Sequence, residues 1–333
     1  MKMNGTLALG ALILLALGAC QINDVSCDTT CKTDWIDGGN LRDKCADDST
    51  TTCLVSRRIT LPTAAEKKMP VFIAVHGFST STYEWEEFQK FVDTLPKDTA
   101  NKTAKAAVSL VLLGGHGREI DSFQLSTWQD WGKPILAEYD SLVSKGYTNI
   151  NFAAGSTGST LLLEYISEGA FNSRPAPNRI YMIDPIIVPT AKILSLIQIV
   201  GPTIGNFPDE GTKEETKHWY VNRPEEDMKQ LYKLINGVQR KLESGFSLPK
   251  NTLANVFKSA HDGSADPISA LLVYQGLSTS SGANIDVEMV NSRLHVFTRL
   301  HGRSSDPSQA DSLLQQRVFK EMVATASQNW PRL

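Results

Sequence analysis

Short apolar runs alternate with amphipathic stretches along most of this chain. The runs at 54–61, 71–75, 108–113, 150–153, 253–257 and 285–290 read as strands, and the run at 179–187 reads as a strand interrupted by Pro185. Apolar positions recur at helical spacing over 85–95, near 135–145, over 159–168 and over 225–243. Such alternation predicts an α/β fold, a mostly parallel central sheet covered by helices on both faces. Sites in open sheets of this kind lie at the carboxyl ends of the strands. The rhythm breaks over about 189–247, where an apolar stretch at 193–200 is followed by Gly and Pro turns and then by the charged helical pattern. That segment reads as an insertion over the strand ends, a helical lid; the 193–200 run fits a buried core helix equally well.

The ends of the chain have a different character. Lys2 precedes an apolar run at 7–17, and small residues stand just before Cys20. This is the layout of a secretory signal peptide whose apolar core is too short to span a bilayer. A cysteine at that point resembles the lipobox of bacterial lipoproteins, which implies cleavage before Cys20 and its lipidation. By the same resemblance Gln21, in place of Asp, favours the outer membrane of the cell envelope. A cleaved soluble form in which Cys20 is incidental is the alternative. The expected organisation is a signal peptide at 1–19, a spacer at 20–53 and a catalytic body at 54–333, anchored to a bilayer and not crossing it.

Four more cysteines, Cys27, Cys31, Cys45 and Cys53, lie between that anchor and the first clear strand. Export makes two disulfides the leading expectation. Of the three possible pairings, Cys27 with Cys31 and Cys45 with Cys53 is the most local. The spacing lacks the paired C-x-x-C knuckles of a zinc site, so no metal is expected. The surrounding stretch is rich in Asp, Thr, Gly and Lys and reads as a stapled spacer. Across the chain 33 basic and 36 acidic residues are mixed, with a net charge of -3, which argues against a nucleic-acid partner. A small-molecule or lipid substrate fits better.

The chemistry centres on Ala154-Gly155-Ser156-Thr157-Gly158, between the strand at 150–153 and the helix at 159–168. Small residues two positions before and after a serine let strand and helix nearly touch, and the sharp turn lifts the hydroxyl above the sheet. A serine so placed needs a base, an acid to hold the base, and donors for an oxyanion. Where the acid and then the histidine follow the serine along the chain, His261, His295 and His301 are the available bases. His295 is favoured because it follows the last strand after a short polar turn. His301, in a Gly-Arg-Ser-Ser turn, reads as a surface residue. For the acid, Asp262 and Asp266 both follow the strand at 253–257. Asp266 is preferred, after a Gly-Ser turn and before Pro267, with Asp262 as runner-up; Asp266 would also serve as a helix N-cap. His76-Gly77-Phe78 closes the strand at 71–75, where Gly77 permits a close turn. The backbone N–H groups of Phe78 and Thr157 are the expected oxyanion donors, and His76 is expected to bond its own loop.

His76-Gly77-Phe78-Ser79, Gly115-His116-Gly117, Asp130-Trp131, Gly155-Ser156-Thr157-Gly158, Gly263-Ser264-Ala265-Asp266-Pro267 and Leu294-His295-Val296 occur in this order. The order resembles that of α/β-hydrolase carboxylesterases and monoacylglycerol lipases, and the likeness runs from about residue 70 to the C-terminus. It implies an α/β-hydrolase fold and cleavage of carboxylic esters, short to medium acyl or lipid, through an acyl-enzyme. Ser156 would be the nucleophile, Asp266 the orienting acid, His295 the base, and Phe78 and Thr157 the oxyanion donors, with no cofactor. Two positions depart from the family pattern: Ala154 stands where Gly is usual, and Ser159 where a second Gly is common. Acyl transfer or peptide cleavage on the same residues, and a non-catalytic surface binding role, remain open.

Overall fold

The computed structural model describes residues 62–97, 105–117, 120–190, 206–208, 212, 215, 218–220, 222–303 and 307–328. The expected strand at 54–61, the apolar run at 193–200, the signal segment, Cys20 and the four further cysteines lie outside the described residues. In chain order the elements are β1 (Val71–Val75), α1 (Glu86–Thr94), β2 (Ala107–Val111), α2 (Ile120–Gln124), α3 (Trp128–Ser144), β3 (Ile150–Gly155), α4 (Ser156–Ser167) and β4 (Arg179–Ile183). There follow β5 (Asn206–Pro208), β6 (Asn222–Pro224), α5 (Glu225–Ser244), β7 (Phe246–Ser247), β8 (Leu253–Ser259), α6 (Ile268–Gly276), β9 (Leu277–Ser278), β10 (Asp286–Val290) and α7 (Gln309–Ala326).

Among the described residues six strands form one parallel sheet in the order β10-β8-β4-β3-β1-β2. Parallel pairing needs crossovers that cover both faces, so the central strands are apolar at successive positions and do not alternate with polar ones. Val71, Ile73, Val75, Phe152, Ile180 and Met182 join Ile135 of α3, Leu162 of α4 and Leu234 of α5 in one core cluster. Phe72, Ala74, Ala153, Tyr181 and Ile183 join Phe88 of α1 and Phe319 and Met322 of α7 in the other. The strand carrying Ser156 at its exit thus lies at the centre of the sheet, between β1 and β4.

Local chemistry sets the element ends. The third helix starts earlier than its apolar spacing predicts because Thr127 and Asp130 cap it reciprocally: the Asp130 N–H donates to Thr127 Oγ1 at 3.3 Å and the Thr127 N–H to Asp130 Oδ2 at 2.9 Å. The run at 179–187 stops pairing after Ile183, where Asp184 turns into left-handed backbone at φ 48°.

One expectation is corrected. The helical part of the stretch read as a lid, α5, buries Met228, Leu231, Leu234, Ile235, Val238 and Leu242 in the main core. It packs against α4 and α6 in the helical layer, and its charged positions other than the buried Asp227 form the solvent face. Thr212, His218 and Tyr220 instead tie down loops at the strand ends. Thr212 Oγ1 donates to the Gly302 carbonyl at 2.6 Å and the Tyr220 N–H to the Ser79 carbonyl at 2.9 Å. Tyr83 is sandwiched between the stacked His218 ring, 3.6 Å away, and the Arg299 guanidinium, 3.2 Å from the ring centre. Among the described residues no helix is long and apolar enough to cross a membrane.

The α5 and α6 helices approach closely at Gly276, where a Cβ would collide with the Leu242 carbonyl oxygen and lie 2.7 Å from the carbonyl carbon. Gly276→Ala should lower unfolding free energy by about 1–3 kcal/mol through overpacking. Gly237, inside α5 with open space around it, is the control: Gly237→Ala should raise stability by about 0.5–1 kcal/mol. Denaturant unfolding of the two variants beside wild type checks both signs.

Candidate active site

The site is built around the turn from β3 into α4. Ser156 has φ 47°, a left-handed conformation disfavoured for a residue with a Cβ. The turn is possible because its neighbours are small. A Cβ on Gly158 would lie 2.7 Å from the carbonyl oxygens of both Val75 and His76, and one on Gly155 would strike Glu84 Oε1 and lie 2.8 Å from Val296 Cγ1. The two departures noted in the sequence meet here. Ser159 Oγ donates to the Ala154 carbonyl at 2.8 Å, lacing the end of β3 to the start of α4, while the Ala154 methyl is buried in the core.

Ser156 Oγ is 2.8 Å from His295 Nε2. On the other side of the ring, His295 Nδ1 is 2.8 Å from Asp262 Oδ2. A carboxylate can only accept, so Nδ1 carries the proton and Nε2 is left to accept the serine O–H. Asp266, the acid preferred from the sequence, is not in this row. Its Oδ1 accepts the Ile268 N–H at 2.9 Å and its own N–H donates to the Val188 carbonyl at 2.8 Å, so it opens α6. The physical reason is strand length: β8 runs on to Ser259 instead of stopping at 257, which carries the first aspartate past the strand up to His295. Asp262 Oδ1 then accepts the N–H groups of Ser264 and Ala265 at 2.7 and 3.1 Å, closing the turn and facing Asp266 away. His301 is exposed, as expected, and its N–H donates to Glu87 Oε1 at 2.8 Å.

Behind Asp262 lies a group the sequence reading missed. Lys258, fully buried, places Nζ 2.5 Å from Asp262 Oδ2 and 3.1 Å from Asp184 Oδ1. Asp184 also accepts the Ser259 N–H at 2.6 Å, the Ser259 hydroxyl at 3.1 Å and the Val296 N–H at 2.9 Å. Burial pushes the Asp184 carboxyl up, opposed by Lys258. Burial acts on Asp262 in the same sense, but His295 and Lys258 together hold its carboxyl below the usual range. Asp184, Asp262 and His295 have the ligand types of a metal site and lie close together, yet the cation between the two carboxylates is the Lys258 ammonium.

The loop after β1 forms the opposite wall. A Cβ on Gly77 would lie 3.0 Å from Ser156 Cβ, so the backbone leading to Phe78 passes directly beside the Ser156 turn. The Thr157 N–H stands in the first turn of α4, where a helix leaves its N–H groups without intrahelical acceptors. His76 Nε2 accepts the Leu113 N–H at 3.1 Å, which leaves Nδ1 to donate to the Gly77 carbonyl at 2.8 Å. Burial lowers the His76 pKa to about 4, so it is a neutral brace for this loop. His116, packed among Phe78, Phe123 and Trp131, is held well below its ordinary range by burial and by His76.

Glu84, also missed, is buried beneath the turn. Its Oε2 accepts the Gly77 N–H and the Thr80 hydroxyl, both at 3.2 Å, and Oε1 has no partner among the described residues. Burial raises its pKa to about 7, against the pull of the Gly77 N–H, His295 and Arg303. A carboxyl raised on folding binds its proton more tightly in the native state. Stability is therefore lost as pH rises from the unfolded value, near 4.5, through about 7. Glu84→Gln should remove that loss: its melting temperature relative to wild type should rise across this window and level off above it. A difference that stays constant from pH 4 to 8 would show that Glu84 does not titrate there.

No protein-family model and no curated protein sequence matches the chain. Solved structures do. A structure from work on the metagenome-derived lipolytic enzymes LipS and LipT is 18% identical, with a TM-score of 0.59 over 78% of this chain and 94% of that one. A soluble variant of monoglyceride lipase from Saccharomyces cerevisiae, in complex with a substrate analog, is 10% identical, with a TM-score of 0.59 over 80% of this chain and 88% of that one. The monoacylglycerol lipase of Paleococcus ferrophilus is 10% identical, with a TM-score of 0.54 over 77% and 96% of the two chains. At these identities the likeness speaks to architecture, and together with the six-stranded parallel sheet and its two helical layers it establishes that this chain has the α/β-hydrolase fold.

Proposed function

We propose that this protein is a serine hydrolase that cleaves carboxylic esters through an acyl-enzyme. The observation that carries the reading is the unbroken row from Ser156 Oγ through His295 to Asp262, with both contacts at 2.8 Å. In this mechanism Ser156 Oγ attacks the ester carbonyl carbon as His295 Nε2 takes its proton. Asp262 keeps the ring oriented and stabilises the imidazolium that forms. The carbonyl oxygen, now an anion, is held by the N–H groups of Phe78 and Thr157. Collapse expels the alcohol, which receives the proton from His295. Water then repeats the sequence on the acyl-enzyme, releasing the acid and restoring Ser156.

A purely binding role is disfavoured, because strained backbone at Ser156 and two buried acids behind its histidine serve no purpose in adhesion. The lipolytic fold relatives support an acyl or lipid ester as substrate. Attachment to the bacterial envelope through Cys20 belongs to the same proposal and would bring the enzyme to a membrane-borne substrate.

Hydrolysis of p-nitrophenyl esters from acetate to palmitate, by protein beginning after Cys20, tests the reading. Ser156→Ala should abolish turnover with the fold intact. Asp262→Ala should lower kcat about 10³- to 10⁴-fold, whereas Asp266→Ala should stay within a few-fold of wild type. Loss of activity in the Asp266 variant with retention in the Asp262 variant would reverse the assignment of the acid.

A further inference from the structure

The proposed mechanism uses Ser156, His295 and Asp262 and leaves two fully buried charges behind them, Lys258 and Asp184. Lysine is almost never fully buried unless paired. An ammonium there carries a desolvation penalty that an apolar side chain would avoid. Its contacts indicate what the charge acts on. Asp262 divides its oxygens: Oδ1 takes two backbone N–H groups of its own turn, while Oδ2 takes both the Lys258 ammonium, at 2.5 Å, and the His295 ring N–H, at 2.8 Å. One oxygen therefore serves the lysine and the histidine together.

The arrangement closes on itself. Asp184 accepts from Lys258 at 3.1 Å and, through its other oxygen, from the N–H of Val296 at 2.9 Å, the residue after His295. Val296 is β-branched yet held at φ 54°, a conformation that needs such an anchor. The ring runs from Asp184 to Lys258, to Asp262, to His295, and through one peptide back to Asp184. Moving any member displaces the histidine.

We propose that Lys258 is a positioning residue of the hydrolase site: anchored by Asp184, it fixes Asp262 Oδ2 under His295 and offsets part of the negative charge that the histidine faces. The inference rests on the serine hydrolase reading. It places an electrostatic control on the base, since the positive charge of Lys258 opposes protonation of His295 and the negative charge of Asp184 favours it. The other charged groups facing His295 are Glu84 beneath the turn and Arg303, whose Nη2 donates to the His295 carbonyl at 2.7 Å and whose Nε lies 3.8 Å from Glu215. Both are retained in every variant compared below, so the titration of Glu84 near pH 7 is common to all the profiles.

The test follows the rate of Ser156 labelling by a fluorophosphonate, and kcat/KM for a p-nitrophenyl ester, from pH 5 to 9. Proteins are compared only where near-UV circular dichroism and melting show a folded chain. Lys258→Met should move the acid limb of both profiles up by about one pH unit or more, with kcat lowered and KM little changed. Lys258→Arg, which keeps the charge, should leave the limb near the wild-type position. Asp184→Asn should move it the opposite way, to lower pH, and carries the test if Lys258→Met fails to fold. Limbs that coincide with wild type, or that move in the same direction in both variants, overturn the assignment of Lys258. A wild-type chain that takes no label and turns over no ester overturns the hydrolase reading and this inference with it.

Discussion

Everything at the working end of this molecule depends on one steric constraint: the backbone of Ser156 must bend left-handed where the central strand gives way to a helix. That bend brings Gly158 against the carbonyls of Val75 and His76, and Gly155 against Glu84 and Val296. No side chain fits at either place. The consequence is a hydroxyl raised above the sheet, with the loop after β1 on one side and His295 on the other. The parallel sheet supplies the rigidity, since β3 is paired along its length with β1 and β4.

Strain of this kind is not confined to the serine. Of the five described non-glycine residues with positive φ, four, Ser79, Ser156, Asp184 and Val296, stand at the carboxyl ends of the strands or in the loop bearing His295. Each conformation costs of order 1 kcal/mol or more and persists only where surroundings over-determine it. Asp184 and Val296 hold each other through the bond between carboxylate and N–H. Ser79 is held by Tyr220, whose N–H meets its carbonyl, and by Arg223, whose Nε lies 3.3 Å from its hydroxyl. The polar network and the backbone strain are thus two parts of one device, in which buried charges compensate for unfavourable torsions and keep Ser156 and His295 in register.

Much of this was legible in the sequence because it follows from local pattern. Continuous apolar runs give a buried parallel strand, and small residues flanking a serine give a tight turn. What escaped depends on contacts between distant segments. Asp262 and Asp266 are separated by one turn, and which of them meets His295 depends on where β8 stops, a boundary that pairing with β4 and β10 sets. Lys258 lies next to the end of an apolar strand and looks solvent-facing until Asp184, from the turn after β4, closes over it. Glu84, between Tyr83 and Trp85, gave no sign of its burial. The charged face of α5 suggested a lid, whereas its apolar face belongs to the core. Polar residues within apolar surroundings carried the missing information, and a Lys at the end of a strand that leads to a candidate acid is the signal that was present.

The central claim is that Ser156 forms a covalent acyl bond during turnover. The most direct measurement is to acid-quench the full chain within its first turnover of a p-nitrophenyl ester and locate the acyl group by peptide mass mapping. The account predicts a burst of nitrophenol matched by one acyl group per chain, on the peptide carrying Ser156. Turnover without an acylated peptide, or an acyl group on any other residue, would contradict it.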